Sequence, residues 1–251
     1  MSIDISRNNL EADFEVRGKA ENDTMNASRR NTVHLTRELI DARFPTPILN
    51  RSQAMGELSD AEIEASLRET LDDRCDEDLW LFGYGSLMWK PDFSYVERIV
   101  ARVQGYHRSF CLWQRRYRGN RLNPNLMLAL DAGGSCCGVA YRVAAPNVET
   151  KISTTWRREL IGNGYRPRWV TARTDRGPVP AVAFVANRDN AERYTGRLSD
   201  EVVARYIAEA CGERGSGAEY LLETVLALDR LHLRDSSLWR LQRLVAGHLS
   251  P

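Results

Sequence analysis

A glycine-rich segment near the middle of the first half of this sequence has residue types suited to binding chemistry. The stretch LWLFGYGSLMWKP, residues 79–91, places Gly83, Tyr84, Gly85 and Ser86 directly after an apolar run. Glycines in such a turn expose backbone N–H donors, and the tyrosine and serine add hydroxyl groups that both donate and accept. This combination suits a small zwitterion, which needs donors and acceptors together.

Two familiar uses of a glycine-rich turn are not supported by the neighbouring residues. A dinucleotide-binding turn needs a third glycine where Met88 stands, and Pro91 lies where that fold continues a helix. A serine-hydrolase elbow centred on Ser86 needs glycine at the positions of Tyr84 and Met88. A tight turn with a purely structural role remains as the alternative to a ligand-binding turn.

The second candidate is Glu159, in the segment NVETKISTTWRRELIGNGY. The apolar residues of a helix over 148–160 recur about once per turn, at Val148, Ile152, Trp156 and Leu160. Glu159 lies two turns after Ile152 on nearly the same face, whereas Arg157 and Arg158 are expected to turn away towards solvent or the edge. Apolar surroundings raise the pKa of a carboxyl group towards that of a general base. An ion pair between Glu159 and a nearby arginine is the alternative, and the spacing alone does not separate the two.

The remaining pattern predicts the elements that must position these two regions. Short apolar or alternating runs bounded by Gly, Pro and Asn predict strands near 79–84, 97–103, 107–113, 126–130, 137–143, 167–173 and 180–186. Helical patterns cover about 147–160, 199–210, 217–231 and 236–247. The stretch LMLALDAGGSCCGVAYRV predicts a hairpin with its turn at 132–135. The strands favour an antiparallel sheet that can close on itself, and the fold class is α+β.

The N-terminal part of the chain has a different composition. Residues 1–30 are rich in Asn, Asp, Glu, Arg and Ser with hardly an aromatic residue, which predicts a disordered tail. Residues 31–78 predict a helical N-terminal extension. It contains a short helix over 31–41 and a better one over 59–71, with Ser59 as the N-cap.

Composition excludes several functional classes. Lys and Arg total 35 against 34 for Asp and Glu, so no overall charge attracts nucleic acid or an anionic membrane. The five cysteines have no C-x-x-C spacing and the four histidines are scattered, so we expect neither a disulfide framework nor a metal site. No apolar run approaches the roughly 18 residues of a spanning helix, and no signal peptide is recognisable. We therefore expect a cytoplasmic protein with a small-molecule partner.

Five segments, in this order, resemble those of the ChaC-like γ-glutamylcyclotransferases: FGYGSLMW, GYHRSFCLW, GVAYRV, WRRE followed by GYRPRWV, and GAEYLLETV. The resemblance runs from about Leu79 to Val245 and leaves residues 1–78 uncovered. It implies a catalytic domain over 79–248 with a small mixed β-barrel and flanking helices. It also implies the release of 5-oxoproline and Cys-Gly from glutathione, with no cofactor and no metal.

The same resemblance implies roles for individual residues. Glu159 corresponds to the catalytic glutamate, and Tyr165 and Tyr220 correspond to tyrosines near the pocket. The loop that binds the glutamyl group would consist of Leu81, Phe82, Gly83, Tyr84, Gly85, Ser86 and Leu87. Glu159 would take a proton from the α-ammonium group, which then attacks its own γ-carbonyl, and would return it to the departing cysteinyl nitrogen.

The sequence leaves the substrate and part of its binding site open. Arg115, Arg116 and Arg118 are candidates for pairing with the glycyl carboxylate of glutathione, although a solvated basic loop is the more common role. A cyclotransferase for other γ-glutamyl amino acids or amines has the same base and loop. A non-catalytic protein that regulates another protein, such as a cation transporter, is a third possibility, but a vestigial pocket has no need of Glu159. The sequence does not specify an oligomeric state.

Overall fold

The computed structural model describes residues 32, 34–45, 57–74, 77–146 and 148–250. The tail predicted over residues 1–30 lies outside these described residues. The statements below concern the described part of the chain.

Two helices precede the sheet. Helix α1, Arg37–Arg43, begins later than the helix predicted over 31–41, because the Thr36 side chain caps it by accepting a hydrogen bond from the Leu39 N–H. Helix α2, Asp60–Leu71, begins at the predicted N-cap. There the Ser59 hydroxyl accepts a hydrogen bond from the Glu62 backbone N–H, and the Glu62 carboxylate accepts one from the Ser59 backbone N–H, which completes a capping box.

Five strands close into a small barrel, so the prediction of an α+β fold with a closed sheet is confirmed. The strands are β1 (Leu79–Gly83), β2 (Glu97–Gln114), β3 (Asn125–Val143), β4 (Tyr165–Thr174) and β5 (Gly177–Ala186). Their order around the barrel is β1, β3, β2, β4, β5, with antiparallel neighbours. A parallel contact between Leu81 of β1 and Val182 of β5 closes it. Both residues are fully buried in the core.

Strands β2 and β3 are each one long strand where the sequence predicted two short ones. The hairpin turn predicted at 132–135 is wrong, since β3 continues through these residues and stays paired with β2. The glycines do need the positive φ expected of them: φ is 82° at Gly105, 105° at Gly133 and 72° at Gly134. They form an irregularity in the ladder that lets two long strands bend around the barrel. The chain actually reverses over residues 115–124.

Four further helices cover the barrel: α3 (Val148–Leu160), α4 (Asp200–Glu209), α5 (Gly217–Arg230) and α6 (Ser236–Leu249). A two-stranded ribbon of β6 (Cys211–Gly212) and β7 (Gly215–Ser216) precedes α5. The predicted apolar face of α3 packs inward, and its Trp156 ring meets Phe184 of β5 with centroids 5.0 Å apart. Helix α3 also packs against α2, and the Trp156 indole N–H donates a hydrogen bond to the Ser66 hydroxyl there. None of the helices in the described ranges has the length and apolarity needed to cross a membrane.

Candidate active site

The glycine-rich turn begins directly after β1, and buried donors hold it in place. Ser86–Met88 form one turn of 3₁₀ helix. The Arg108 Nε donates a hydrogen bond to the Tyr84 carbonyl oxygen at 2.7 Å, and the Tyr141 hydroxyl donates to the Leu87 carbonyl oxygen at 2.9 Å. Because both donor side chains are buried, the backbone of the turn is fixed from the protein interior.

Gly85 is required by a close approach and not by its backbone conformation, since its φ is −130°. A Cβ atom at this position would lie 2.7 Å from the Tyr220 hydroxyl oxygen. The backbone N–H of Ser86 acts on the same hydroxyl and partly opposes the rise in its pKa. Any side chain at Gly85 would therefore push the tyrosine away from the turn that it contacts.

The turn forms part of the wall of a cavity of about 1040 Å³. Seven of the site residues proposed from sequence meet at this wall: Tyr84, Gly85, Ser86, Leu87, Glu159, Tyr165 and Tyr220. Leu81, Phe82 and Gly83 are placed differently. They lie within β1, where the side chains of Leu81 and Phe82 are buried in the fold and do not line the cavity. These three residues belong to the strand that leads into the turn.

Glu159, in the last turn of α3, presents a mostly buried carboxylate to the cavity. Its side chain is 15% exposed. The Nε and Nη2 atoms of Arg158 donate hydrogen bonds to its Oε1 at 3.0 and 2.9 Å. Burial raises the pKa of Glu159, and the neighbouring guanidinium only partly opposes that effect. The structure therefore shows the ion pair that the sequence left open and also buries the carboxylate at the cavity, where a role as a general base stays a prediction.

The prediction that Arg158 turns towards solvent is wrong. Its Nη1 donates to Oδ2 of Asp92 at 2.8 Å, and Asp92 also accepts a hydrogen bond from the Thr155 hydroxyl one helical turn earlier. Arg158 thus shares its charge between Asp92 and Glu159, and it lines the cavity. Arg157 does point outward, where it pairs with Asp60 at the start of α2.

Three tyrosines line the cavity together with Glu159: Tyr84 and Tyr220 are buried, and Tyr165 is partly buried. The hydroxyls of Tyr84 and Tyr165 donate to the backbone carbonyls of Phe184 and Leu128, at 2.7 and 2.8 Å. Burial raises the pKa of Tyr84 and Tyr165 well above the ordinary value and that of Tyr220 to about 12, with a smaller contribution from the nearby carboxylate charge. All three hydroxyls therefore stay protonated at neutral pH. We call this part of the cavity, formed by residues 84–87, Glu159, Tyr165 and Tyr220, the base end.

A second part of the cavity wall is rich in cations, and the sequence identified it only in part. We call it the cationic wall and define it as Arg115, Arg116, Arg118, Arg193 and Arg214. The first three were candidates because they cluster in RRYR, whereas the other two come from separate connections with no local signal. With Lys90, Arg121 and Arg158, eight cations line the cavity against three carboxylates, Glu57, Glu159 and Glu192. The cavity therefore favours an anionic ligand.

Residues of the N-terminal extension take part in this wall. Glu57 lines the cavity and pairs with Arg116 at 2.8 Å. Arg118 pairs with Glu219 of α5 at 2.8 Å, and Arg37 of α1 binds the other oxygen of the same carboxylate at 2.9 Å. Residues that the sequence resemblance left uncovered thus contact groups that line or support the cavity.

The arrangement combines a buried carboxylate of raised pKa, protonated tyrosines, backbone N–H donors on a fixed turn, and a cationic wall. Such a site can bind an anionic substrate and move a proton at an amine. Across the residues that the structure describes, no three His, Cys, Asp or Glu side chains are grouped so that they could hold a metal ion.

Comparison with known proteins shows what this chain is similar to. Residues 79–248 match a family model described as ChaC-like protein. The chain is 39% identical over 176 residues to the glutathione-specific γ-glutamylcyclotransferase of Escherichia coli (strain K12). That alignment covers 69% of this chain and 76% of that relative. It is 37% identical over 149 residues to glutathione-specific γ-glutamylcyclotransferase 1 of Danio rerio, and the alignment covers 57% of this chain and 76% of that relative. A crystal structure of a γ-glutamyl cyclotransferase specific to glutathione from yeast shares the fold, with a TM-score of 0.60, 22% identity, and coverage of 69% of this chain and 100% of that chain.

Proposed function

Because this chain belongs to the ChaC-like protein family, we propose that it is a glutathione-specific γ-glutamylcyclotransferase. Such an enzyme converts glutathione to 5-oxoproline and Cys-Gly. The observation that carries the proposal is the meeting, in one cavity, of a fixed glycine-rich turn and the buried carboxylate of Glu159. The names of the relatives support glutathione as the substrate.

In this proposal, the base end binds the γ-glutamyl group. Backbone N–H donors of residues 84–87 suit the α-carboxylate. Hydrogen bonds from Arg108 and Tyr141 to backbone carbonyls of the turn fix its position from the protein interior. At neutral pH glutathione carries two carboxylates and one ammonium group, so it is a net anion. The excess of cations on the cavity wall fits this charge.

The first chemical step is removal of a proton from the α-ammonium group, which is not nucleophilic while protonated. Both hydrogen bonds from Arg158 end on Oε1 of Glu159, so Oε2 is the oxygen left to accept the proton. Burial favours the protonated carboxyl group. The raised pKa of Glu159 therefore lies closer to the pKa of the ammonium group from which it takes the proton. Glu159 is therefore the general base of the proposed reaction.

The freed amine then attacks the γ-carbonyl carbon of the same glutamyl group and closes a five-membered ring. The two reacting groups belong to one molecule, so the turn only has to hold the chain in the folded conformation that brings them together. The protonated hydroxyl of Tyr220 and N–H donors of the turn stabilise the oxyanion that forms. The bond to the cysteinyl nitrogen then breaks, and Glu159 returns its proton to that nitrogen. The ring nitrogen loses its second proton as the lactam forms, and the free amine of Cys-Gly takes up one proton, so the protons balance. Every atom of glutathione is found in the two products.

The proposal is tested by incubating the purified protein with glutathione, γ-glutamylalanine and γ-glutamyl-ε-lysine and quantifying 5-oxoproline. We expect product from glutathione at a far higher kcat/KM than from the other two. Equal turnover of γ-glutamylalanine would instead assign a broader γ-glutamyl cyclotransferase. Binding of glutathione in calorimetry without any product from the three substrates would support the non-catalytic alternative.

A further inference from the structure

Among the arginines of the cationic wall, Arg193 is partly buried without a carboxylate partner in the described ranges, whereas Arg115 and Arg214 are exposed to solvent. Arg116 and Arg118 each have a carboxylate partner, Glu57 and Glu219 respectively, at 2.8 Å. Arg193 makes no ion pair with any residue in the described ranges. It lies in the connection that follows β5, and its guanidinium reaches the cavity wall.

The hydrogen bonds of Arg193 are also incomplete. Its Nη1 donates to the Gly162 carbonyl oxygen at 2.7 Å, just beyond the C-terminal end of α3, where a cation is weakly favoured. Its Nε is buried and has no hydrogen-bond partner among the described residues. A guanidinium has five N–H donors, so one carbonyl oxygen leaves most of them unused. Burial without a counter-ion also lowers the pKa of Arg193.

Arg193 lines the same cavity as Glu159, but the two side chains do not contact each other. The Arg193 guanidinium lies beside Gly162 and Gly164, beyond the C-terminal end of α3, and within the described residues no hydrogen bond or ion pair joins it to Glu159. The reacting amine and the α-carboxylate of glutathione share one carbon atom, so both must lie at Glu159. The glycyl carboxylate is at the opposite end of the tripeptide.

We propose that Arg193 is a specificity-determining residue that binds the glycyl carboxylate of glutathione, an inference that rests on the function proposed above. The bound carboxylate supplies the counter-ion that the guanidinium lacks. A γ-glutamyl compound without that carboxylate leaves the buried cation uncompensated, which disfavours its binding. Arg193 thereby selects glutathione against γ-glutamyl amines.

The test compares two substrates and three proteins. The substrates are glutathione and its glycyl monoethyl ester, which lacks only the terminal carboxylate charge. The proteins are the wild type, Arg193→Gln and Arg197→Gln. Glutamine at position 193 keeps a donor for the Gly162 carbonyl and removes the charge. Arg197 is an exposed arginine of the same connection that does not line the cavity, so its substitution controls for the change in net charge.

For glutathione, we expect Arg193→Gln to raise KM roughly 10- to 100-fold with little change in kcat, as for a lost charged hydrogen bond. For the ester, the wild type and Arg193→Gln should have similar KM values, and Arg197→Gln should match the wild type on both substrates.

Equal losses by Arg193→Gln on acid and ester would overturn the proposal and assign Arg193 to the end of α3 or to the α-carboxylate. A wild type that does not distinguish acid from ester would overturn it too, even if the variant failed to fold. Failure of the proposed function is a separate result, because the wild type would then form no 5-oxoproline from glutathione.

Discussion

The base end and the cationic wall of the cavity are built by different means. At the base end, hydrogen bonds that are buried or partly buried fix the groups: the hydroxyls of Tyr84 and Tyr165 donate to backbone carbonyls, and Arg158 donates to Glu159. The cationic wall is assembled from separate connections and from ion pairs that are partly exposed, such as Arg116 with Glu57, whose side chains are 38% and 32% exposed. Proton transfer needs fixed geometry, whereas recognition of an anion tolerates weaker and screened contacts.

The largest expected effect is at the base end. In Glu159→Gln the amide keeps the size of the side chain but does not act as a base, so kcat should fall on the order of 10²- to 10⁴-fold. The Kd of glutathione, measured by calorimetry, should change little, because the turn and the cationic wall are intact. A variant with normal kcat would make Glu159 a structural residue and would remove the distinction between the two regions.

The stability of Glu159→Gln gives an independent check with a defined sign. The pKa of Glu159 is raised in the folded protein, so the folded state holds this proton more tightly than the unfolded state. The free energy of unfolding therefore decreases as pH rises from the ordinary pKa of 4.5 through the folded one. At pH 7 the ionised group disfavours folding, and Arg158 keeps Asp92 as a partner when Glu159 is neutralised.

We therefore expect Glu159→Gln to have a Tm at pH 7 equal to or above that of the wild type, with a smaller advantage at pH 4. Thermal unfolding followed by circular dichroism at both pH values measures the difference. An early-melting variant at pH 7 would show that the ion pair with Arg158 stabilises the fold more than burial of Glu159 destabilises it.

A smaller but still large effect is expected in the turn. Gly85→Ala places a Cβ atom against the Tyr220 hydroxyl, so the turn and the tyrosine must separate, and KM should rise roughly 10-fold or more. Gly247→Ala in α6 is the matched control, because a Cβ there meets no atom within 4 Å. Steady-state kinetics of the two variants should differ clearly. Equal KM values would mean that the turn does not hold the glutamyl group.

Tyr84→Phe should have a modest effect, mainly on stability. The lost hydroxyl donates to the Phe184 carbonyl oxygen inside the protein, and such a bond contributes about 0.5–1.5 kcal/mol. Urea unfolding should show a decrease of that size in the free energy of unfolding, with KM changing less than in Gly85→Ala. A large rise in KM with unchanged stability would place the hydroxyl on the substrate.

The smallest effect is expected at α1, which in the described ranges contacts the cationic wall only through Glu219. Arg37→Ala removes a partly exposed cation that shares the Glu219 carboxylate with Arg118, so KM for glutathione should change only about twofold. Arg43→Ala, on the same helix and away from Glu219, is the control. Added salt at about 0.5 M should erase the difference between Arg37→Ala and the wild type. A tenfold loss that persists in salt would show that α1 fixes the site as firmly as the buried hydrogen bonds do.

Sequence patterns predicted the parts of the molecule whose causes are local. The cap at Ser59, the turn at residues 84–87 and the inward face of α3 all follow from spacing within one element. The hairpin turn at 132–135 was wrong because pairing with β2, a long-range interaction, keeps the glycines within a strand. Long-range pairing decides strand length more than local turn propensity does.

The candidate site shows the same division between features with local causes and features with long-range causes. Arg158 was expected in solvent because its inward partner, Asp92, lies 66 residues away in the sequence. Arg193 carried no signal at all, since a single arginine in a polar connection is ordinary until the fold places it on a cavity wall. Arginines from separate loops come together only in the folded chain. The spacing of residues in the sequence therefore could not predict this part of the site.

The most direct test of the central claim, intramolecular attack by the glutamyl amine, is to run the reaction in H₂¹⁸O and analyse the products by mass spectrometry. Water is not a reactant in the proposed mechanism. The account therefore predicts 5-oxoproline without ¹⁸O, in amounts equal to Cys-Gly, and no glutamate. Glutamate carrying ¹⁸O in its γ-carboxylate would show that water attacks the γ-carbonyl, and would contradict the account.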